Sequence, residues 1–336
     1  MKDSVIYIQI KKVANRVVST ILLIPNYCYD SSRFLWFSIM GGAPRNIIQY
    51  NALITRDYHK LEKSLAFVNF KPFSGKDTIR KLLANIQLFI PQYGLTIPTK
   101  NALHTIQQYI DLHRERGHED PYIDTIEQKL QGLNIDFNQK NWTIGGIETF
   151  KSDELIKKAS IRAEDFFYSR YSIRDFSDTK VDHKKIQQAF HLARKTPSVC
   201  NRQGWKGYLI EDINLLKEIL LIQGGSRGFD HSIHQLIVVA GDLNHFNGSN
   251  ERNQIYADGG MFAMTLLYAF HSLGIAACTL NWSASFQKDL KLRKKLQALK
   301  GHETVIMMIA IGNYPDQITV CQSPRKEVSE ILEIVA

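Results

Sequence analysis

Apolar residues recur at helical spacing through 57–66, 76–90 and 100–116, and Gly/Pro-bearing breaks separate these stretches: Lys71-Pro72-Phe73-Ser74-Gly75 and Ile97-Pro98-Thr99. The pattern predicts three helices. It weakens between Gly132 and Thr149, where Asn134, Asn138, Asn141, Gly145 and Gly146 crowd together, as at a boundary or a crossing loop. A helical period resumes at Ser152, a candidate N-cap, with Asp153 and Glu154 in the first turn where the helix dipole favours acids. Beyond that the pattern alternates. Helices are predicted over 184–194, 215–222, 253–273 and 286–299, and strands over 206–211, 235–240, 275–280 and 304–311. Such alternation implies an α/β or α+β sheet with covered faces.

The 336 residues, 44% of them hydrophobic, are enough for two ordinary domains and a large core. A formal charge of +9 raises nucleic acid, anionic membrane and phosphorylated ligands as partners. The basic residues are spread along the whole chain, however, and the densest run, 291–295, reads as the solvated face of one helix or as a phosphate or partner patch. Nucleic acid therefore rests on net charge alone and is not expected. Cys28, Cys200, Cys278 and Cys321 form no C-x-x-C pair, which fits a reducing, cytoplasmic setting. His231 and His234 follow Asp230 at metal-like spacing, but nothing completes a ligand set, so no metal is expected. The apolar run 17–24 is interrupted by Ser19 and Thr20, closed by Pro25-Asn26, lacks a cleavage signature and is too short to span a membrane.

Two clusters carry candidate chemistry. In Arg170-Tyr171-Ser172-Ile173-Arg174, two guanidinium groups and a hydroxyl suit a phosphate or an anionic ring. The plainer reading is a surface loop with solvated arginines. In the segment from Thr196 to Trp205, Pro197 and Ser198 set a turn. Asn201 and Gln203 there each bring paired donors and acceptors able to read an amide-like heterocycle edge. Its plainer reading is a helix-to-strand loop.

Taken in order, R-x-S-x-R closely followed by Phe176, then P-S-x-x-N-x-Q-x-W, then Tyr256-Ala257-Asp258-Gly259-Gly260 through Gly274-Ile275, then Ile311-Gly312-Asn313-Tyr314-Pro315, resemble the nitroreductase family. The resemblance implies an α+β fold, a mixed sheet flanked by helices, over residues 162–336, preceded by a mostly helical region over 1–150. It also implies that Arg170 and Ser172 hold the phosphate of FMN and that Arg174 lies by the pyrimidine side. A cation there favours the reduced flavin, because negative charge collects near N1 and the C2 carbonyl. Ser198, Asn201 and Gln203 would contact the ring or ribityl chain, in family dimers often across the subunit interface, and Arg325 would reach the phosphate.

The chain departs from the family pattern after the strand that follows Gly274. Thr279-Leu280-Asn281-Trp282-Ser283 stands where many members carry a P-x-E-G-like loop whose backbone faces flavin N5, and Trp282 replaces the glycine. Asn281 and Trp282 are thus cofactor-site candidates, the indole either covering the flavin or turning into the core. Gly204 replaces a common proline, Asp258 reads as structural, and Gly224-Gly225-Ser226-Arg227-Gly228 lacks nucleotide-loop spacing and reads as a loop bordering the site. His59 and Glu62, one helical turn apart, and the 71–75 break read as solvated helix and turn. The segment also resembles the extension of nitroreductase-like proteins from polysaccharide gene clusters, which implies a sugar-related substrate.

The expectation is a cytoplasmic, homodimeric FMN-dependent oxidoreductase that takes hydride from NAD(P)H and passes electrons to a small-molecule acceptor. No residue is assigned as an obligatory acid or base. The alternatives are a flavin-dependent reaction without nicotinamide, and a flavin-binding accessory module in polysaccharide assembly.

Overall fold

A computed structural model describes residues 2–40, 42–66, 71–118, 120–133, 135, 145–147, 163–318 and 327–335. The first part is helical, as expected. Helix α1 spans Lys2–Phe37, α2 Ile47–Ala66, α3 Lys76–Tyr93, α4 Ile97–Glu115 and α5 Pro121–Gln131. Helix α2 starts ten residues before the predicted 57, and α1 and α5 were not predicted. Helix α1 runs through Pro25, which removes one backbone donor but leaves the following turns intact. Helix α5 is short, yet Asp120 caps it by accepting from the Tyr122 amide at 2.8 Å, and Pro121 occupies its first turn. The helix expected from Ser152 lies outside the described residues.

Helices α2 to α5 share one core, with Ile54, Leu61, Leu82, Phe89, Ile106 and Ile126 among its buried side chains. Two polar groups inside it have structural work. His113, fully buried, receives the Phe73 amide proton on Nε2 at 2.9 Å, so its own proton sits on Nδ1 and goes to the Tyr109 carbonyl at 2.7 Å. This fastens the 71–75 break, where Phe73 has φ 59°. His59 pairs with Glu62 at 3.1 Å, and Glu62 accepts the Gly146 amide at 3.1 Å. The pair is thus a cross-link to the later segment rather than a solvated one.

The second part has α6 Ala163–Tyr168, α7 His183–Ala193, β1 Trp205–Ile210, α8 Ile213–Gln223, β2 Gln235–Asp242, α9 Gln254–Ser272, β3 Ala276–Asn281, α10 Phe286–Lys295 and β4 Glu303–Gly312. The sheet order is β1-β2-β4-β3. The α+β class is as expected. The pairing is antiparallel throughout these strands, where a mixed sheet was expected. The reason is topological: β2 and β3, joined by the crossover helix α9, run in the same direction, but β4 inserts antiparallel between them.

Strand alternation sorts the two faces. Ile237, Val239, Ile309 and Ile311 pack with α7 and α9, while Leu236, Val238, Met308 and Ala310 pack with α8 and α10. Helix α9 can lie close on the sheet because Gly259 has no side chain: a Cβ there would stand 2.6 Å from Ile306. Helix α10 stops at Lys295 rather than 299. Of its basic run, Arg293 is not part of a free solvated face, since it bonds Asp289 at 2.7 Å and the Lys300 and Glu303 carbonyls.

A smaller core joins the two parts. Phe34 of α1 packs with Leu243, Phe246 and Ile255. Beside it Gln49 donates to Phe37 O at 2.8 Å and to Asn244 at 3.3 Å, and Ile39 N donates to Phe246 O. No helix among the described residues is long and apolar enough to cross a membrane.

Candidate functional site

The stretch 170–176 has no regular secondary structure and is fixed by two apolar anchors. Ile173 and Phe176 are buried in the sheet core, and the Ile173 amide donates to Ala277 O of β3 at 3.0 Å. Phe176 also seats on Gly312, where a Cβ would come within 2.7 Å of its ring. With these anchors fixed, Arg170 and Ser172 both line a cavity of about 550 Å³, within the usual range of small-molecule sites. The Arg170 guanidinium has no carboxylate partner among the described residues.

The other walls come from α8, α9, β3 and β4. Gln223, Gly225, Thr279 and Asn281 bring polar groups, and Met264, Leu267, Leu280 and Met307 bring apolar surface. Gly260 lines the cavity too, and a Cβ added there would meet nothing within 4 Å, so any side chain would project into the open space. Gln223 ties two walls together by donating to Asn281 O at 3.0 Å and accepting from Gly225 N at 2.6 Å. The 224–228 loop thus borders the cavity, as expected. Arg174 is exposed, donates to Ser172 O at 3.5 Å and does not line this space. It does lower the pKa of the neighbouring Cys278 thiol, but burial prevails and pushes that thiol up, so the group stays protonated.

The loop 196–205 is held from beneath. Thr196 Oγ1 donates to Ala193 O at 2.7 Å, and buried Asp258 accepts the Val199 amide on both oxygens at 3.3 and 3.2 Å, which bears out the structural reading of Asp258. Arg202 is also buried. It makes a bidentate pair with Glu251 at 3.0 and 2.8 Å, lies over the Phe246 ring and bonds the His245 carbonyl. Above this foundation the backbone turns left-handed at Cys200, Asn201 and Gln203, with φ 50°, 53° and 51°. Such conformations cost side-chain-bearing residues about 1–3 kcal/mol each and gather at functional sites. Ser198 Oγ accepts the Gln203 amide at 2.9 Å, leaving the Asn201 and Gln203 side chains exposed. Ser198, Asn201 and Gln203 do not line the cavity.

Trp282 turns away from the cavity. Its indole is partly buried against the sheet core and borders a smaller space of about 160 Å³ with Asn26, Tyr29 and Arg33 of α1. Of the two orientations open from sequence, the second is present, while the neighbouring Asn281 still faces the cavity. Arg325 lies outside the described residues. The cavity residues that sequence reading did not single out are Gln223, Met264, Leu267 and Met307, while Gly225, Gly260, Thr279 and Leu280 were noted only as parts of motifs. Most are ordinary helix and strand residues whose role comes from position, and only the glycines carried a local signal.

Residues 168–226 match the model of the Nitroreductase family, a stretch that contains both motifs and reaches Gln223 and Gly225. No curated protein matches the chain. Among solved structures, a provisionally named NADH dehydrogenase/NAD(P)H nitroreductase of Parabacteroides distasonis ATCC 8503 is similar at 24% identity and TM-score 0.46, covering 52% of this chain and 98% of that one. An FMN-dependent nitroreductase of Clostridium difficile R20291 is similar at 19% identity and TM-score 0.41, over 50% and 93% of the two chains. A provisionally named nitroreductase of Desulfovibrio desulfuricans, in complex with FMN, is similar at 20% identity and TM-score 0.44, over 53% and 98%.

Proposed function

We propose that the protein is an FMN-dependent oxidoreductase that accepts hydride from NADH or NADPH and delivers electrons to a small-molecule acceptor. The observation that carries this reading is the Arg170 guanidinium, without a carboxylate partner among the described residues, set beside Ser172 in the 550 Å³ cavity. A cation and a hydroxyl at one end suit a phosphate, while the apolar walls from Met264, Leu267 and Met307 suit a flat ring system. The group when bound supplies the hydride and electron chemistry itself. The chain's part is then to hold the phosphate with Arg170 and Ser172, and with Arg325 beyond the described residues. Asn281 presents backbone and amide groups beside the ring, the Gly260 surface leaves room for it, and Arg174 brings positive charge near the segment's outer end.

On this reading residues 162–336 form the flavin unit, and 1–150 form a helical region attached to it. Asn201, Gln203 and Ser198, facing outward from the cavity of their own chain, fit a homodimer in which they complete the partner's site. The setting is cytoplasmic, and the acceptor class includes sugar-linked molecules.

The test is the visible spectrum of the purified protein, identification of any released chromophore, and anaerobic addition of NADH or NADPH followed by a panel of nitroaromatic, quinone and sugar-linked acceptors. Yellow protein that releases FMN and bleaches with either donor supports the reading. FMN that binds but is bleached by neither donor favours a flavin reaction without nicotinamide. A chain that takes up no FMN refutes the reading.

A further inference from the structure

The segment from Asn281 to Phe286 links the cavity wall to helix α10 and has no regular structure between Asn281 and Ser285. One end is held by strand pairing, Asn281 opposite Met307, and by the bond from Gln223 to Asn281 O. The other end is held by α1, an element of the N-terminal half. Asn26 Oδ1 accepts the Phe286 amide at 2.7 Å, which satisfies one of the orphan donors at the start of α10. Tyr29 Oη donates to Asp289 at 2.7 Å, and the Tyr29 and Phe286 rings stand 6.1 Å apart. Burial and the Asp289 carboxylate push the Tyr29 phenol up, so it remains a donor. One turn on, Arg33 donates to Gly301 O at 3.0 Å and to Glu303 O at the start of β4. Between these contacts lies the small space bordered by Trp282.

The second loop rests on the same half of the chain. Helix α2 packs against the turn at 199–201, and Val199 joins the small core built on Phe34. The N-terminal half therefore supports both loops, and none of its described residues lines the cavity.

We infer that α1 is a positioning element for the candidate flavin site, with Asn26 and Tyr29 setting the course of the 281–286 segment and so the placement of Asn281 in the cavity wall. This rests on the flavin reading for its functional consequence but not for its structural one. A strap that only stabilised the fold would have no need to hold an irregular segment continuous with the cavity by a cap at its far end.

The test compares Asn26→Ala, Asn26→Asp and Tyr29→Phe with the unaltered full chain. Hydrogen exchange across 279–286 is measured without cofactor, and FMN binding is followed by its visible spectrum. Asn26→Ala is expected to raise exchange in that stretch and weaken FMN binding about three- to tenfold, as loss of one neutral hydrogen bond does. The FMN band shape is expected to change as well. Asn26→Asp keeps the acceptor and places a negative charge at a helix start, so it should return both readouts to within about twofold. Tyr29→Phe, which removes a single oxygen, should act in the same direction and stands in if Asn26→Ala fails to fold. The inference is overturned if exchange across 279–286 is unchanged, or if it rises while FMN affinity and spectrum stay those of the unaltered chain. Should the unaltered chain take no FMN, the flavin reading fails separately. Exchange then decides: an increase confined to 279–286 upholds the clamp, and one spread over the whole second half overturns it.

Discussion

The segment 170–174 and the loop 198–203 are both arginine-bearing and both fall within the matched family stretch, yet they are built in opposite ways. In the first, no residue has a positive φ, apolar anchors at Ile173 and Phe176 fix the stretch, and Arg170 stands at the edge of a cavity with no carboxylate partner among the described residues. In the second, the arginine is consumed: Arg202 is 2% exposed at its side chain and paired with Glu251, and the strain sits in the backbone above it. An unpaired cation beside an open space is suited to an anionic ligand. A paired one beneath a strained turn is suited to holding shape. Residue type alone does not separate the two roles; what the guanidinium already touches does.

The largest effect should come from breaking the paired arginine. Glu251→Gln leaves the Arg202 charge buried without compensation, and such breaks cost about 3–5 kcal/mol. Chemical denaturation should show the midpoint fall accordingly. Arg170→Ala should do the reverse, changing stability by no more than about 0.5 kcal/mol. It should weaken FMN binding by about 1.5–3 kcal/mol, the worth of a hydrogen bond to a charged group. If Arg170→Ala destabilised the fold as much as Glu251→Gln, the contrast between a binding and a structural arginine would be gone.

Acid should also separate the two regions. His245 lies under the loop: its carbonyl receives Arg202, and a Cβ on Gly204 would stand 3.0 Å from it. Burial holds its pKa below the ordinary value, and nearby Arg202 lowers it further, against the opposing pull of Asp242. The imidazole is therefore neutral in the folded chain, while the unfolded chain takes up a proton near pH ~6.5. Its contribution is fully present above that pH and is lost as pH falls from there toward the lower folded value. Stability measured down that range should decline, and His245→Gln should flatten part of the slope. Hydrogen exchange should rise at 198–204 before 170–176, and the opposite order would contradict the contrast.

Much of this architecture was legible because it follows from periodicity. Strand 235–240 is a continuous apolar run since both its faces are covered, and the matching structure is β2. The R-x-S-x-R motif was legible because its residue types are distinctive at close spacing, and buried Ile173 anchors the stretch that carries Arg170 and Ser172. Helix α1 was not legible: Lys11, Lys12 and Pro25 interrupt its pattern, and its docked end is held by polar contacts from Asn26, Tyr29 and Arg33 to residues more than 250 positions away. The fate of Trp282 was undecidable for the same reason, since its neighbours on one side belong to that helix. Gln223 was invisible as a site residue because nothing in a helix C-terminus announces that its side chain will reach the end of a distant strand.

The smallest effect probes the strain itself. Cys200 adopts φ 50° and ψ 30°, a left-handed conformation that costs a side-chain-bearing residue about 1–2 kcal/mol. Cys200→Gly relieves that cost but enlarges the entropy of the unfolded chain by about 0.4–1 kcal/mol. A net gain of about 0.5–1 kcal/mol in unfolding free energy is therefore expected from these opposing terms. If the turn is held left-handed in order to present Asn201 and Gln203 to a cofactor, glycine should loosen that presentation. FMN affinity should then fall about two- to fivefold even as the protein grows more stable, the usual cost of lost preorganisation. A gain in stability with unchanged affinity would make the turn a local feature of the chain path, and the contrast would rest on the two arginines alone.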